Sequence, residues 1–376
     1  MKNKSIVVLM TLLVAFSILL ASCSAPEPQV VTVKETVVVE KEVVVEKEVV
    51  VEKEVMVEAE AEFDYVSALK GKKMAAILSG PVNDGGWNTN AYLGLIGARD
   101  NFLLDVAYTE SVKVEDAEQI LRDYAEAGYD IVMAHGYEYA DQIAAVAKEY
   151  PDVKFIQTNG AEGGIDNLYT VTLSAGEGGY FMGRLACQLT KANKVQWVIG
   201  TQFPIMDHHI LMAKQACEDI GRGDVEWGEA YVGSWGDAAK VKELTKAAIE
   251  QGADVFLTVT DAGDPGAIEA IMEEREKGNT DIQYISWSKD RNNLAPELAI
   301  GGWEEMVDKE VEYVLKLIAE GQPGGHFSIG LLEGGNKINP FYGLVPEEIE
   351  KDIVDLERQY LEDPSSIPNL VVRKDL

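Results

Sequence analysis

Aromatic residues and Asp or Asn recur together just past short apolar runs of this 376-residue chain. Asp84, Trp87 and Asn88 follow the run Met74–Ser79, Tyr137 follows Asp130–Ala134, and Asn159 follows Val153–Gln157. Phe203 follows Val195–Ile199, Trp235 follows Val232, and Asp261 follows Val255–Val259. Trp287 closes the run Ile282–Trp287, Asp290 comes just after it, and Trp303 follows Gly301-Gly302. A Trp, Tyr or Phe ring offers a flat stacking face, and a carboxylate or amide binds a polar edge. The combination suits a planar ligand with hydrogen-bonding edges.

The same segments offer little for turning a substrate over. No Gly-x-Gly-x-x-Gly follows the first apolar run, and Gly321–Ser328 lacks the Gly-Lys-Ser/Thr ending of a phosphate loop. Adjacent His208 and His209 project to different helix faces and cannot chelate as an i, i+4 pair would, so they read as surface residues and zinc is not expected. No Gly-x-Ser-x-Gly elbow or Cys/His pair is present. Asp84 and Asp261 are formally a carboxylate pair, but acids are common in so acidic a chain. The expectation is binding without catalysis, with no cofactor and no metal.

Alternating elements must position these tips. Amphipathic helical patterns, such as Ile143, Val146, Ala147 and Tyr150, lie between the apolar runs. Strand–helix alternation implies βαβ units and parallel sheets, which bind ligands outside the carboxyl ends of their strands. About 300 residues of this pattern suit two α/β domains. Trp227, alternating with Val225, reads as core, and Trp303 as the start of a helix.

The ends of the chain read differently. Lys2 and Lys4 precede the apolar run Ile6–Leu20, which is short for a membrane span, and then Leu20-Ala21-Ser22-Cys23. This reads as an export signal over residues 1–23, and its last four residues resemble a bacterial lipobox, which makes Cys23 the lipidated residue and places the protein on the outer side of the cell membrane. The hexapeptide Val-Val-Val-Glu-Lys-Glu is repeated three times over residues 37–54, and residues 24–70 read as a low-complexity tether. Cys187 and Cys217 fall in helix-like segments and are taken as core thiols, although export would permit a disulfide. The formal charge is −31, of which residues 64–376 carry −26. That excludes a nucleic-acid binder relying on a basic face. It also disfavours an anionic ligand unless Lys289 or Arg291 faces the site.

Six motifs in register carry a family resemblance. They are Asn83–Asn88 followed by Ala91–Gly94, Asp130–Tyr137, Tyr150–Phe155, Glu177–Ala186, Gln251–Val255 and Gly330–Gly335. Together they resemble the basic membrane protein family, the purine-nucleoside-receptor-like substrate-binding lipoproteins of ABC transporters. The resemblance spans about residues 72–350. It implies a type I periplasmic-binding fold, with two Rossmann-like lobes, a hinge and a ligand cleft. Lobe 1 is expected over 71–172 plus 302–330, and lobe 2 over 173–301 plus 331–376.

By position, Asp84, Trp87, Asn88 and Tyr137 match the family's ligand-holding residues, and Asp290 lies near its late acidic segment. The chain departs at Asn159, where the family usually has Asp. It departs again at Gly301–Glu305, where a Ser-x-x-Lys whose Lys contacts ribose is common. The resemblance implies a monomeric receptor delivering a small solute to permease and ATPase subunits. The solute is expected to be a purine nucleoside or nucleobase, with a riboflavin-like ring as the alternative. A chemosensory lipoprotein of the same fold and an exported enzyme are the rival functions.

Overall fold

The computed structural model describes residues 63–160 and 163–367. The export signal, Cys23 and the hexapeptide repeats lie outside the described residues. Asp64 opens the folded unit. Its side chain caps α1 (Tyr65–Leu69), whose Leu69 is fully buried, so the expected tether to residue 70 gives way to folded chain some residues earlier.

Thirteen strands follow among the described residues: β1 (Lys73–Leu78), β2 (Asp105–Thr109), β3 (Ile131–His135), β4 (Lys154–Thr158), β5 (Leu168–Leu173), β6 (Lys194–Ile199), β7 (Glu226–Tyr231), β8 (Val255–Val259), β9 (Gln283–Ile285), β10 (Ala299–Ile300), β11 (Trp303–Glu305), β12 (Gly325–Ile329) and β13 (Asn336–Ile338). The helices between them are α2 (Trp87–Phe102), α3 (Val114–Glu126), α4 (Ala140–Glu149), α5 (Ala175–Leu189), α6 (Pro204–Asp219), α7 (Ala238–Glu250), α8 (Asp264–Glu276), α9 (Val307–Ala319) and α10 (Glu347–Glu362).

One sheet runs β12-β5-β4-β3-β1-β2 and the other β10-β9-β8-β6-β7. Every pairing in both is parallel. Central strands such as β1, β3, β5 and β8 are buried on both faces, as an apolar run in a parallel sheet requires. The first sheet packs α2 and α9 on one face, around Leu95, Val311 and Leu315, and α3 and α4 on the other, around Leu121 and Ile143. The second packs α5, α6 and α10 on one face and α7 and α8 on the other.

The chain passes between sheets three times: from β5 into α5, from β10 through β11 into α9, and from β12 through β13 towards α10. The last two passages are tied by the antiparallel pair β11–β13. Buried Glu177 of α5 accepts from Leu331 N, Asn336 Nδ2 and the Tyr360 hydroxyl, so one carboxylate fastens the third passage to α5 and α10. The fold is the type I periplasmic-binding architecture.

Five side chains sit differently from expectation. Trp303 lies in a strand of the tied passage and is fully buried: it pairs with Ile338 of β13, and its backbone N–H donates to the Ser286 carbonyl at 3.1 Å. His208 and His209 are buried, since α6 is pressed against α5 rather than lying on the surface. Cys187 and Cys217 are joined in a disulfide, with Cα atoms 5.8 Å apart. Trp227 is half-buried and stacks on Trp197, with centroids 6.3 Å apart.

Candidate functional site

The carboxyl ends of the two sheets face one cavity of about 770 Å³. Such a volume is in the ordinary range for small-molecule sites. The loop after β1 supplies its first wall. Asp84 Oδ1 accepts from Gly86 N, Thr89 N and Thr89 Oγ1, and Oδ2 accepts from Asn88 N and Asn88 Nδ2, at 2.8–3.0 Å. Burial alone would raise this carboxyl, but the Gly86, Asn88 and Thr89 donors hold it below the ordinary range. Asp84 therefore caps α2, satisfying N–H groups that a helix start leaves orphaned. Asn88 in turn accepts from Gly80 N at 3.0 Å, locking the loop to its own helix. Both line the cavity, yet their polar atoms mainly fix the loop.

The aromatic walls follow. Trp87 stacks on His135, ring centroids 4.2 Å apart. The His135 ring is buried, with Nδ1 2.6 Å from Thr158 Oγ1 and Nε2 3.1 Å from the Trp87 carbonyl. Burial pushes the His135 pKa down to about 3, so the imidazole is a neutral platform under Trp87. Tyr137, just past β3, is 47% exposed at the cavity mouth. Phe203 and Trp235 meet edge to face at 5.8 Å. Trp235 lies over Gly200, where a Cβ would fall 2.2 Å from the indole. Trp287 and Trp303 lie deeper, fully buried, with centroids 6.4 Å apart.

Asp261 stands opposite the first loop, at the carboxyl end of β8 and at φ +48°. Its side chain reaches so close to Gly86 that a Cβ there would fall 2.2 Å from Oδ1. Burial, then the charges of Asp264 and Asp84, push its pKa up to about 8, against a smaller opposing pull from Arg291. A raised acid binds a proton in the folded state that the unfolded chain releases above 3.8. Its contribution to stability is present below that value and lost as pH rises through about 8. Asp261→Asn removes the dependence. The variant should melt with wild type near pH 4 and at least ~2 °C above it at pH 8.5, as read by a melting series in the absence of ligand.

A family model described as "ABC transporter substrate-binding protein PnrA-like" matches residues 71–370. The chain belongs to this family. It is thus an ABC transporter substrate-binding protein, the role its bilobed cleft suits. The transcriptional activator protein Med of Bacillus subtilis is 29% identical over 296 residues, covering 77% of this chain and 90% of that relative. A purine-binding protein of Brucella abortus is 26% identical, covering 74% of this chain and 78% of the relative. Among solved structures, a solute-binding protein of an Aeropyrum pernix ABC transporter superposes with a TM-score of 0.68 at 20% identity, over 78% of this chain and 92% of its own. A transcriptional activator of the comK gene from Bacillus halodurans gives 0.66 at 23% identity, over 79% and 100%. Those likenesses show the shared fold.

In this PnrA-like protein the cavity brings together Asp84, Trp87, Asn88, Tyr137, Asn159, Phe203, Trp235, Asp261, Trp287 and Trp303. Asp290 is not brought in. Its carboxylate turns away to the Tyr342 hydroxyl and to Asn292 N, the latter 2.9 Å away. Nor do Lys289 and Arg291 line the cavity: Lys289 pairs with Glu304 at 3.1 Å, and Arg291 with Asp264 at 2.8 Å.

Sequence reasoning missed Glu305, Glu310, Asn336 and Met206 in the lining. Glu305 ends β11 and accepts from Ser288 Oγ at 3.0 Å. Burial lifts its pKa to about 6, against the pull of the Ser288 hydroxyl. Glu310 is fully buried in the first turns of α9. Their signal was the Trp-Glu-Glu strand and the acidic start of α9, features that elsewhere mark a solvated helix end.

Proposed function

We propose that this substrate-binding protein is lipid-anchored at Cys23, faces outward as a monomer, and captures a planar heteroaromatic solute of the purine nucleoside or nucleobase class. The observation that carries the reading is the aromatic lining: Trp87, Tyr137, Phe203, Trp235, Trp287 and Trp303 converge on one cavity at the carboxyl ends of two parallel sheets. Rings held from both sides suit a flat solute, and Asp261, Asn159 and Ser234 offer edge contacts. The relatives named for purine or nucleoside binding support the same class. A riboflavin-like ring is the alternative solute for the same aromatic walls. Kinship with a transcriptional activator does not bring nucleic acid with it here, because a formal charge of −31 repels phosphates.

The ligand bridges the lobes and shifts an open–closed equilibrium through contacts made only when closed. Titration of the full chain with adenosine, guanosine, hypoxanthine and riboflavin should quench tryptophan fluorescence and raise the melting temperature. Trp235→Ala should weaken the responding solute about tenfold or more, since stacking of one base contributes roughly 1–3 kcal/mol. Unchanged fluorescence and melting with all four, or a sugar released on denaturing the purified protein, would overturn the reading. Cys23→Ser should abolish radiolabelled fatty-acid incorporation in cells and release the protein from membranes. Unaltered labelling would remove the anchor from the reading.

A further inference from the structure

The cavity is lined by acids with no matching base. Asp84, Glu138, Asp261, Glu305 and Glu310 line it, and no Lys or Arg does. Asp84 is spent on capping α2, but the deep end is not satisfied from within. Both Glu310 oxygens are buried without a hydrogen-bond partner, and so is Asn336 Oδ1. The Asn336 amide is oriented by its own donor, which binds the Ser174 carbonyl and the Glu177 carboxylate, so its oxygen is the atom left over. Glu305 lies beside them, with one bond from Ser288. Buried acceptors left unmade are costly, and native proteins leave few without a reason.

Resting on the receptor reading above, we propose that the solute carries a cationic nitrogen group, an ammonium or a protonated ring amine, and that this group seats on the floor formed by Glu305, Glu310 and Asn336. Burial pushes the Glu310 carboxyl well up and favours its neutral form in the empty cavity; a donor-only cation seated there would stabilise the ionised, acceptor-only form. Trp287 and Trp303 beside the floor add ring faces that attract cations. A metal ion is the poorer occupant, because no cluster of three His, Cys, Asp or Glu side chains among the described residues is arranged to hold one. The position of Glu310 in the first turn of α9 favours its charged form once a cation arrives.

The test keeps the ring constant and varies the charge. Calorimetry on the full chain at pH 7 would compare adenosine with 5′-amino-5′-deoxyadenosine, cationic on the sugar, with 1-methyladenosine, cationic on the base, and with AMP. At least one cation should bind about tenfold or more tighter than adenosine, and AMP should bind most weakly. Glu310→Gln should lower that cation-to-neutral ratio by about the same factor, and Glu305→Gln provides the second variant if the first does not fold. Adenosine binding as tightly as both cations, or AMP binding best, would overturn the cationic floor and leave the receptor reading standing. No response to any nucleoside or to riboflavin would overturn both.

Discussion

Arg291→Met is expected to destabilise the protein by about 3–5 kcal/mol, the range for removing one partner of a buried ion pair. The guanidinium is 7% exposed and Asp264 only 1%. Arg291 Nε donates to Asp264 Oδ2 at 2.8 Å, while Thr258 and Thr260 donate to the other carboxylate oxygen. Burial already raises the Asp264 carboxyl, and Arg291 is the largest influence holding it down. Removing the cation leaves an unpaired charge with no access to water. The loss extends beyond the pair. Arg291 Nη1 donates at 2.6 Å to the carbonyl of Gly85, in the loop after β1, and Nη2 donates at 3.2 Å to the carbonyl of Asp261. The first bond runs from the five-stranded sheet's loops to the six-stranded sheet's loops. Melting should therefore fall by roughly 6–15 °C. Adding Asp264→Asn should recover part of that fall, because the stranded charge is gone. A fall under ~2 °C for Arg291→Met would show that the pair is not the anchor described.

The sequence revealed the strands that lie in the middle of each sheet and hid those at the edges. β1, β3, β4, β5, β6 and β8 are covered on both faces and so read as continuous apolar runs. β2, β7 and β12 are edge strands with one face partly wet, and Asp105–Thr109 and Gly325–Ile329 gave no comparable run. In the site, residues directly after a strand were legible because topology alone puts strand ends at the ligand crevice. Trp87, Tyr137, Phe203 and Trp235 are of this kind. Depth was not legible. Asp290 and Glu305 look alike in sequence, but Asp290 meets the Tyr342 hydroxyl while Glu305, on the tied strand, reaches the cavity. Glu310 looks like a dipole-complementing acid at a helix start, yet it is fully buried and lines the cavity.

The same dependence on long-range packing explains the second large effect, at the cysteines. Their placement in separate helices said nothing of distance, which the close approach of α5 and α6 sets. A Cβ at Gly179 would fall 2.2 Å from the His209 carbonyl oxygen, and one at Gly183 would fall 2.4 Å from the Ala213 Cα. Glycine at both positions thus lets α5 and α6 touch backbone to backbone, and one turn further along each helix Cys187 and Cys217 come within bridging distance. The link closes a loop with a sequence separation of 30 residues and lies fully inside the core. Loop closure of that length confines the unfolded chain by about 3.5 kcal/mol, so the double variant Cys187→Ala, Cys217→Ala should lose stability of that order. It should melt roughly 7–14 °C lower than wild type under oxidising conditions. Because the bond is buried, added dithiothreitol should leave the folded wild type unaffected at 25 °C and lower its midpoint only when urea unfolds the chain. Equal urea midpoints for wild type and the double variant without reductant would show that the bridge adds nothing, and that α5 and α6 are held by their glycine contact alone.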